Sequence, residues 1–130
     1  MEQSTLVGYS ILVVEEEPFV ARCVQVLLEG AGAEVHSAGS AGEALHFVEH
    51  AGLSAAVLDY RGSANDCHRI PQRLAALGLP FVFCKEIGQD EASPAAPSLN
   101  KPVRGAELVA MLCRLLQPGP PLGDAITEIA

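Results

Sequence analysis

Basic residues are scarce in this 130-residue chain: eight Lys and Arg stand against sixteen Asp and Glu, a formal charge of −8. That balance speaks against nucleic acid or an anionic membrane surface as a partner of the whole domain. Long apolar runs are missing too. The longest, such as residues 11–14 and 55–58, fall far short of the roughly 20 residues a spanning helix needs. The opening Met1-Glu2-Gln3 has no basic stretch followed by an apolar one, so no secretory leader is expected. Cysteine is sparse. Cys23, Cys67, Cys84 and Cys113 are scattered, each in an apolar segment, with no pair at metal-ligand or redox spacing. They are expected to be reduced and mostly buried, in a cytoplasmic protein. No Ser/His/Asp or Cys/His arrangement for hydrolytic chemistry is visible.

What is present suits a folded domain. The chain is 49% hydrophobic and 18% charged, outside the range of disordered segments. At roughly 150 residues per domain the length argues for one. A chain of this size buries about two-thirds of its unfolded surface and needs no staples.

The periodicity alternates between two types. Residues 10–14 (SILVV) form a β-branched run suited to a strand covered on both faces. Pro18 suits a first helical turn, and Phe19, Val20, Cys23, Val24, Leu27 and Leu28 recur at helical spacing until Gly30 and Gly32. Residues 34–37 read as a brief edge strand. Ser40 can cap a helix, with Glu43 in capping-box position and Ala44, Leu45, Phe47 and Val48 as the inner stripe. Residues 55–58 (AAVL) are a buried strand ending at Asp59. Residues 66–77 are helical in pattern, with Pro71 either in the first turn or bending the helix. Residues 81–84 (FVFC) are a fourth strand, residues 85–97 are irregular, and residues 98–100 are a weak last strand. Residues 103–116 form an amphipathic helix broken by the QPGPP that follows.

Strands alternating with helices imply right-handed crossovers and a parallel sheet with helices on both faces. In such sheets the chemistry sits at the carboxyl ends of the strands. The residues there are Glu15-Glu16-Glu17, Asp59, Lys85 and Lys101. Acids from two strand ends and cations from two others would meet in one pocket. Carboxylates suit a hard cation such as Mg²⁺, and a lysine suits a phosphoryl oxygen. Each residue also has a plainer reading: loop charge for the acids, turn or cap for Asp59, surface lysine for Lys101 and Lys85. Glu17 fits the positive end of the first helix. His36, His46, His50 and His68 are taken to lie on separate elements without ligand spacing, as exposed side chains.

The motifs ILVVEEEP, AAVLDY, LPFVFCKE and NKPV, in this order at strand ends, resemble the receiver domain of bacterial two-component response regulators. The resemblance covers about residues 9–117, leaving residues 1–8 as an N-terminal extension and 118–130 as a C-terminal tail. It implies an α/β, flavodoxin-like (CheY-like), doubly wound five-stranded parallel sheet. It implies that Asp59 is the phospho-acceptor and that Glu15, Glu16, Asp59 and the Arg61 backbone carbonyl hold Mg²⁺. Lys101 would contact the phosphoryl group across a cis bond to Pro102. Partners would be a sensor histidine kinase or histidine phosphotransfer protein, docking around residues 18–29 and 98–116, and homodimers are common in the family. No nucleic acid, membrane or enzymatic turnover is implied.

Three departures set the chain apart. The family's acid pair is Asp-Asp or Glu-Asp, whereas Glu15 and Glu16 are each longer by about 1.5 Å, which strains the strict geometry of Mg²⁺ and implies weak or absent binding. The switch positions, a hydroxyl residue and an aromatic in the family, hold Lys85 and Ser98. Lys85 would join Lys101 in contacting a phosphoryl group, and about 4 Å from Asp59 it would contribute up to about 4 kcal/mol at an effective dielectric near 20. The segment before Lys101 is short, so the family's fourth helix is expected to be reduced. The resulting expectation is an atypical stand-alone receiver in a phosphorelay. Its first rival is a pseudo-receiver, a phosphorylation-independent interaction module. The second is a small flavodoxin-like enzyme or cofactor carrier, disfavoured because Glu15-Glu16-Glu17 stands where a glycine-rich phosphate loop would be.

Overall fold

A computed structural model describes residues 5–59, 69–85, 97–101 and 103–117. Arg61, Cys67, His68, Pro102, the segment 86–96 that bears on the family's fourth helix, and the tail 118–130 lie outside the described residues.

Five strands are present: β1 (Ser10–Glu15), β2 (Glu34–Ala38), β3 (Ala55–Asp59), β4 (Phe81–Lys85) and β5 (Ser98–Asn100). They alternate with α1 (Pro18–Gly30), α2 (Ala41–His50), α3 (Arg69–Ala76) and α4 (Gly105–Leu116). All pairings are parallel, in the order β2-β1-β3-β4-β5. This is the flavodoxin-like arrangement expected from the sequence. The order reverses between β1 and β3, and the crevice at such a switch point is where open parallel sheets bind ligands.

Side chains alternate across the central strands, as a pleat requires. Ile11, Val13, Ala55 and Val57 share one core with Leu28, Leu108 and Leu112 of α1 and α4. Leu12, Val14, Ala56 and Leu58 share the other with Ala44, Val48, Ile70 and Leu74 of α2 and α3. Both faces of the sheet are therefore covered, which explains the uninterrupted apolar runs. Among the described residues no helix is long and apolar enough to cross a membrane.

The helix signals act as read. Pro18 opens α1, and Pro71 lies in the first turn of α3. The Ser40 hydroxyl accepts from the Glu43 N–H at 3.2 Å, while Glu43 reaches back to the Gly39 N–H at 2.8 Å. Gly32 takes φ 103°, and a Cβ there would lie 2.5 Å from Val7 Cγ2. Only glycine fits both the conformation and the space.

Three expectations need correction. The apolar positions of α1 do not all face inward: Ala21 and Leu28 are buried, but Phe19 is 75% exposed and Val26 53%. Cys23 lies with them on the solvent side, while Cys84 is buried and Cys113 half-buried. Apolar residues on two sides of one helix give periodicity no means of choosing the inner one. Leu6, set apart in the N-terminal extension, is fully buried, tied by its N–H to the Ala31 carbonyl at 2.8 Å. His46 and His50 share α2, one turn apart, rather than lying on separate elements.

Candidate phosphoryl and metal pocket

Parallel pairing brings all the strand ends to one edge. Glu15 and Asp59 are direct partners in the register of β1 and β3. Glu15 closes its strand rather than following it, so its carboxylate is built into the sheet. Both acids are buried, each 7% exposed. Lys101 follows β5, two strand spacings or about 10 Å from β3. Its long arm spans that gap, and its Nζ lies 2.6 Å from Asp59 Oδ1.

Glu15 is held in an unusual state. Its Oε2 accepts the Glu17 N–H at 2.8 Å, but its Oε1 is buried without a donor. The Asp59 carboxyl lies within hydrogen-bonding range. Two carboxylates offer only acceptors, so the space between them calls for a proton or a cation. Burial, then the contact with Asp59, push the Glu15 carboxyl up to about 7, against the opposing pull of the Glu17 N–H and the Lys101 charge. Cys84, on the neighbouring strand, is pushed up to about 12, first by burial and then by the Asp59 charge. A thiol held that high is inert as a nucleophile.

The donors suit a hard divalent cation. They are oxygens only, one is buried without a donor, and Mg²⁺ is ordinarily bound through one or two carboxylates plus water. Among the described residues no group of three His, Cys, Asp or Glu could hold a metal. Among the described side chains, Glu15 and Asp59 would hold such an ion.

Of the other expected site residues, Glu16 is exposed and lines, with Glu15, Arg22, Gln25 and Ser37, a cavity of about 280 Å³ beside the start of α1. Glu17 is the N-cap residue of α1, with no capping hydrogen bond from its side chain. Lys85 ends β4 in register with Asn100, which puts its backbone at the same edge. Ser98 pairs with Phe83, one strand further from Asp59. The sequence already grouped Glu15 with Asp59 at this edge; the structure adds that Glu15 is the last residue of β1 rather than the first of the loop, and that its carboxyl is buried against Asp59.

Comparison with solved structures adds a family. A response regulator receiver protein from Sinorhizobium medicae WSM419 is similar with a TM-score of 0.74 at 21% identity, over 86% of this chain and 95% of that one. A response regulator receiver domain protein from Clostridium thermocellum gives 0.75 at 23%, over 85% and 95%. SdrG from Sphingomonas melonis Fr1 gives 0.68 at 31% identity, over 87% of this chain and 98% of its own. No family model matches the chain, and no curated protein does. With nearly a third of its residues shared along the whole of one solved chain, and receiver proteins of the same fold among its structural neighbours, the chain belongs to the receiver domains of response regulators.

Proposed function

We propose that Asp59 accepts a phosphoryl group from the phosphohistidine of a histidine kinase or phosphotransfer protein. The observation that carries this reading is the 2.6 Å approach of Lys101 Nζ to Asp59 Oδ1 at the switch-point edge of the sheet. In the transfer an Asp59 oxygen bonds to phosphorus while the phosphorus–nitrogen bond to the donor imidazole breaks. The electron pair stays on that nitrogen, which later takes up a proton. Lys101 then exchanges its carboxylate contact for phosphoryl oxygens, keeping a charge-assisted hydrogen bond throughout. Glu15 and Asp59 would hold a divalent cation, which would supply counter-charge for the transferring group. Phosphorylation alters the local charge by up to about two units, which can bias nearby segments and change protein contacts.

The partner surface follows from the exposed apolar stripe of α1. Phe19, Cys23 and Val26 recur at the spacing of one helix face, and Pro18 before them lines the cavity beside Glu15. An exposed Phe next to a reaction site is a natural docking anchor. We assign the receiver to residues 9–117, with Leu6 closing its floor. Glu15 and Glu16 in place of the family's usual acid pair, with Lys85 and Ser98 at the switch positions, point to slowed or altered phosphorylation.

The Lys101–Asp59 ion pair also favours a second reading: an internal cation already meets the acceptor's charge, as a constitutive pseudo-receiver requires. Incubation with a small acyl phosphate and Mg²⁺, read by intact mass, separates the two. A single phosphoryl group, lost in Asp59→Asn, supports the acceptor. No modification, together with no Mg²⁺ binding at millimolar concentration, supports the pseudo-receiver.

A further inference from the structure

Outside the acid pocket, α2 carries a second group of metal-ligating side chains. His46 and His50 are both exposed, with ring centroids 4.7 Å apart and planes tilted by 44°. We propose that this pair is a chelating site for a borderline divalent transition ion such as Ni²⁺ or Zn²⁺, independent of the acid pocket.

The spacing provides the chelate. Residues four apart lie one above the other on a helix face. At this centroid distance one nitrogen of each ring can reach a common ion at about 2.0–2.1 Å after small side-chain rotations. The scaffold is built in advance. The Ser40 cap fixes the start of α2, while Ala44 and Val48 anchor its inner face in the core. Phe47 stands edge-on to the His46 ring at 6.1 Å, which limits how far that ring can wander. Little order must be gained on binding.

Charge favours the same place. His50 is the last residue of α2, where unpaired carbonyls give the helix its negative end. Arg73 of α3 is paired with Glu49, the residue before His50, through two hydrogen bonds. Imidazole selects Ni²⁺, Cu²⁺ and Zn²⁺, whereas carboxylate and water suit Mg²⁺, so the two sites sort their ions by chemistry. No third His, Cys, Asp or Glu completes a cluster among the described residues. The remaining positions go to water, and the affinity is that of a two-ligand chelate.

The test is a titration of tag-free protein with Ni²⁺ near neutral pH, with excess Mg²⁺ to occupy the acid pocket, followed by amide NMR. Paramagnetic broadening should centre on α2 around His46 and His50 at about 0.1 mM Ni²⁺ or below. His46→Gln and His50→Gln should each weaken the effect at least about tenfold, since either leaves a single ligand. His36→Gln, on β2, should leave it unchanged. Both tested side chains are exposed, and an unaltered far-ultraviolet circular dichroism spectrum shows that the variants keep the fold. Broadening centred elsewhere, absence of binding in this range, or binding within about twofold of the parent in either variant overturns the proposal.

Discussion

Replacing Lys101 with methionine isolates the charge balance of the pocket. The ammonium lies 2.6 Å from Asp59 Oδ1, and the two side chains are 29% and 10% exposed. At that distance and an effective dielectric near 20 the gross attraction is about 6 kcal/mol. Desolvation of both groups cancels part of it, but deleting one partner strands the other, which costs about 3–5 kcal/mol for a buried pair. Partial exposure of Lys101 puts the expected loss at the lower end, about 3 kcal/mol. Methionine keeps most of the length and apolar stem, so packing changes little. In urea titrations at alkaline pH with chelator present, the midpoint should fall by about 1.5–2 M, taking a slope of about 1.5–2 kcal/mol per molar. Millimolar Mg²⁺ should restore part of the loss by supplying another cation. The double variant Lys101→Met, Asp59→Asn should recover most of it, because Asp59 then has no charge to leave unpaired. A loss below about 0.5 kcal/mol, or a double variant no more stable than Lys101→Met alone, refutes the reasoning.

Four further outcomes follow from the same structure. The Glu15 carboxyl is raised in the folded protein from 4.5 to about 7, so its protonation favours folding. Metal-free stability should be greatest below about pH 4.5 for this group's contribution and decline as the pH rises through 7. Glu15→Gln should flatten that profile and stabilise the protein above neutrality, by at most about 3 kcal/mol at about 1.4 kcal/mol per pH unit. Gly32→Ala combines a positive φ with a Cβ 2.5 Å from Val7 Cγ2, and should cost about 2 kcal/mol or more in urea unfolding. Leu74→Ala, which empties a fully buried position on the inner face of α3, should cost about 3 kcal/mol. Phe19→Ala, at a 75% exposed position, should change stability by less than about 0.5 kcal/mol yet weaken docking of a phosphohistidine partner, measured by calorimetry.

The contrast between Leu74 and Phe19 shows what the sequence could and could not disclose. The sheet was legible because β1 and β3 are buried on both faces, and such strands have no polar interruption to confuse the period. Edge strand β2, with an exposed Glu34, half-buried Val35, His36 and Ser37 and a buried Ala38, was legible by its mixed character. The faces of α1 were not, since Phe19, Cys23 and Val26 repeat with the same period as Ala21, Val24 and Leu28. Leu6 could not be assigned to the core, because its burial depends on the turn at Gly32 and on contacts with residues far along the chain. In the pocket, parallel pairing placed Glu15, Asp59 and Lys101 at one edge from order alone. That Lys101 would reach past β4 to Asp59 depends on the path of the chain after Asn100, and that Glu15 would turn inward depends on the Glu17 N–H capturing one of its oxygens.

That capture bears on how the site can work. With Oε2 committed to the backbone, Glu15 has one oxygen left for the pocket, and that oxygen is buried without a donor beside a second carboxylate. Lys101 pairs with Asp59, and its pull on Glu15 does not offset burial and the contact with Asp59, so Glu15 stays raised toward neutrality. A phosphoryl group on Asp59 would add negative charge to this enclosure and draw Lys101 toward itself, leaving Glu15 with even less compensation. The arrangement therefore tolerates phosphorylation only if a proton or an added cation accompanies the phosphoryl group. Of these a cation would be the better match, because held by Glu15 and Asp59 it would supply positive charge to both acids and to the phosphoryl group, whereas a proton on Glu15 satisfies that group alone.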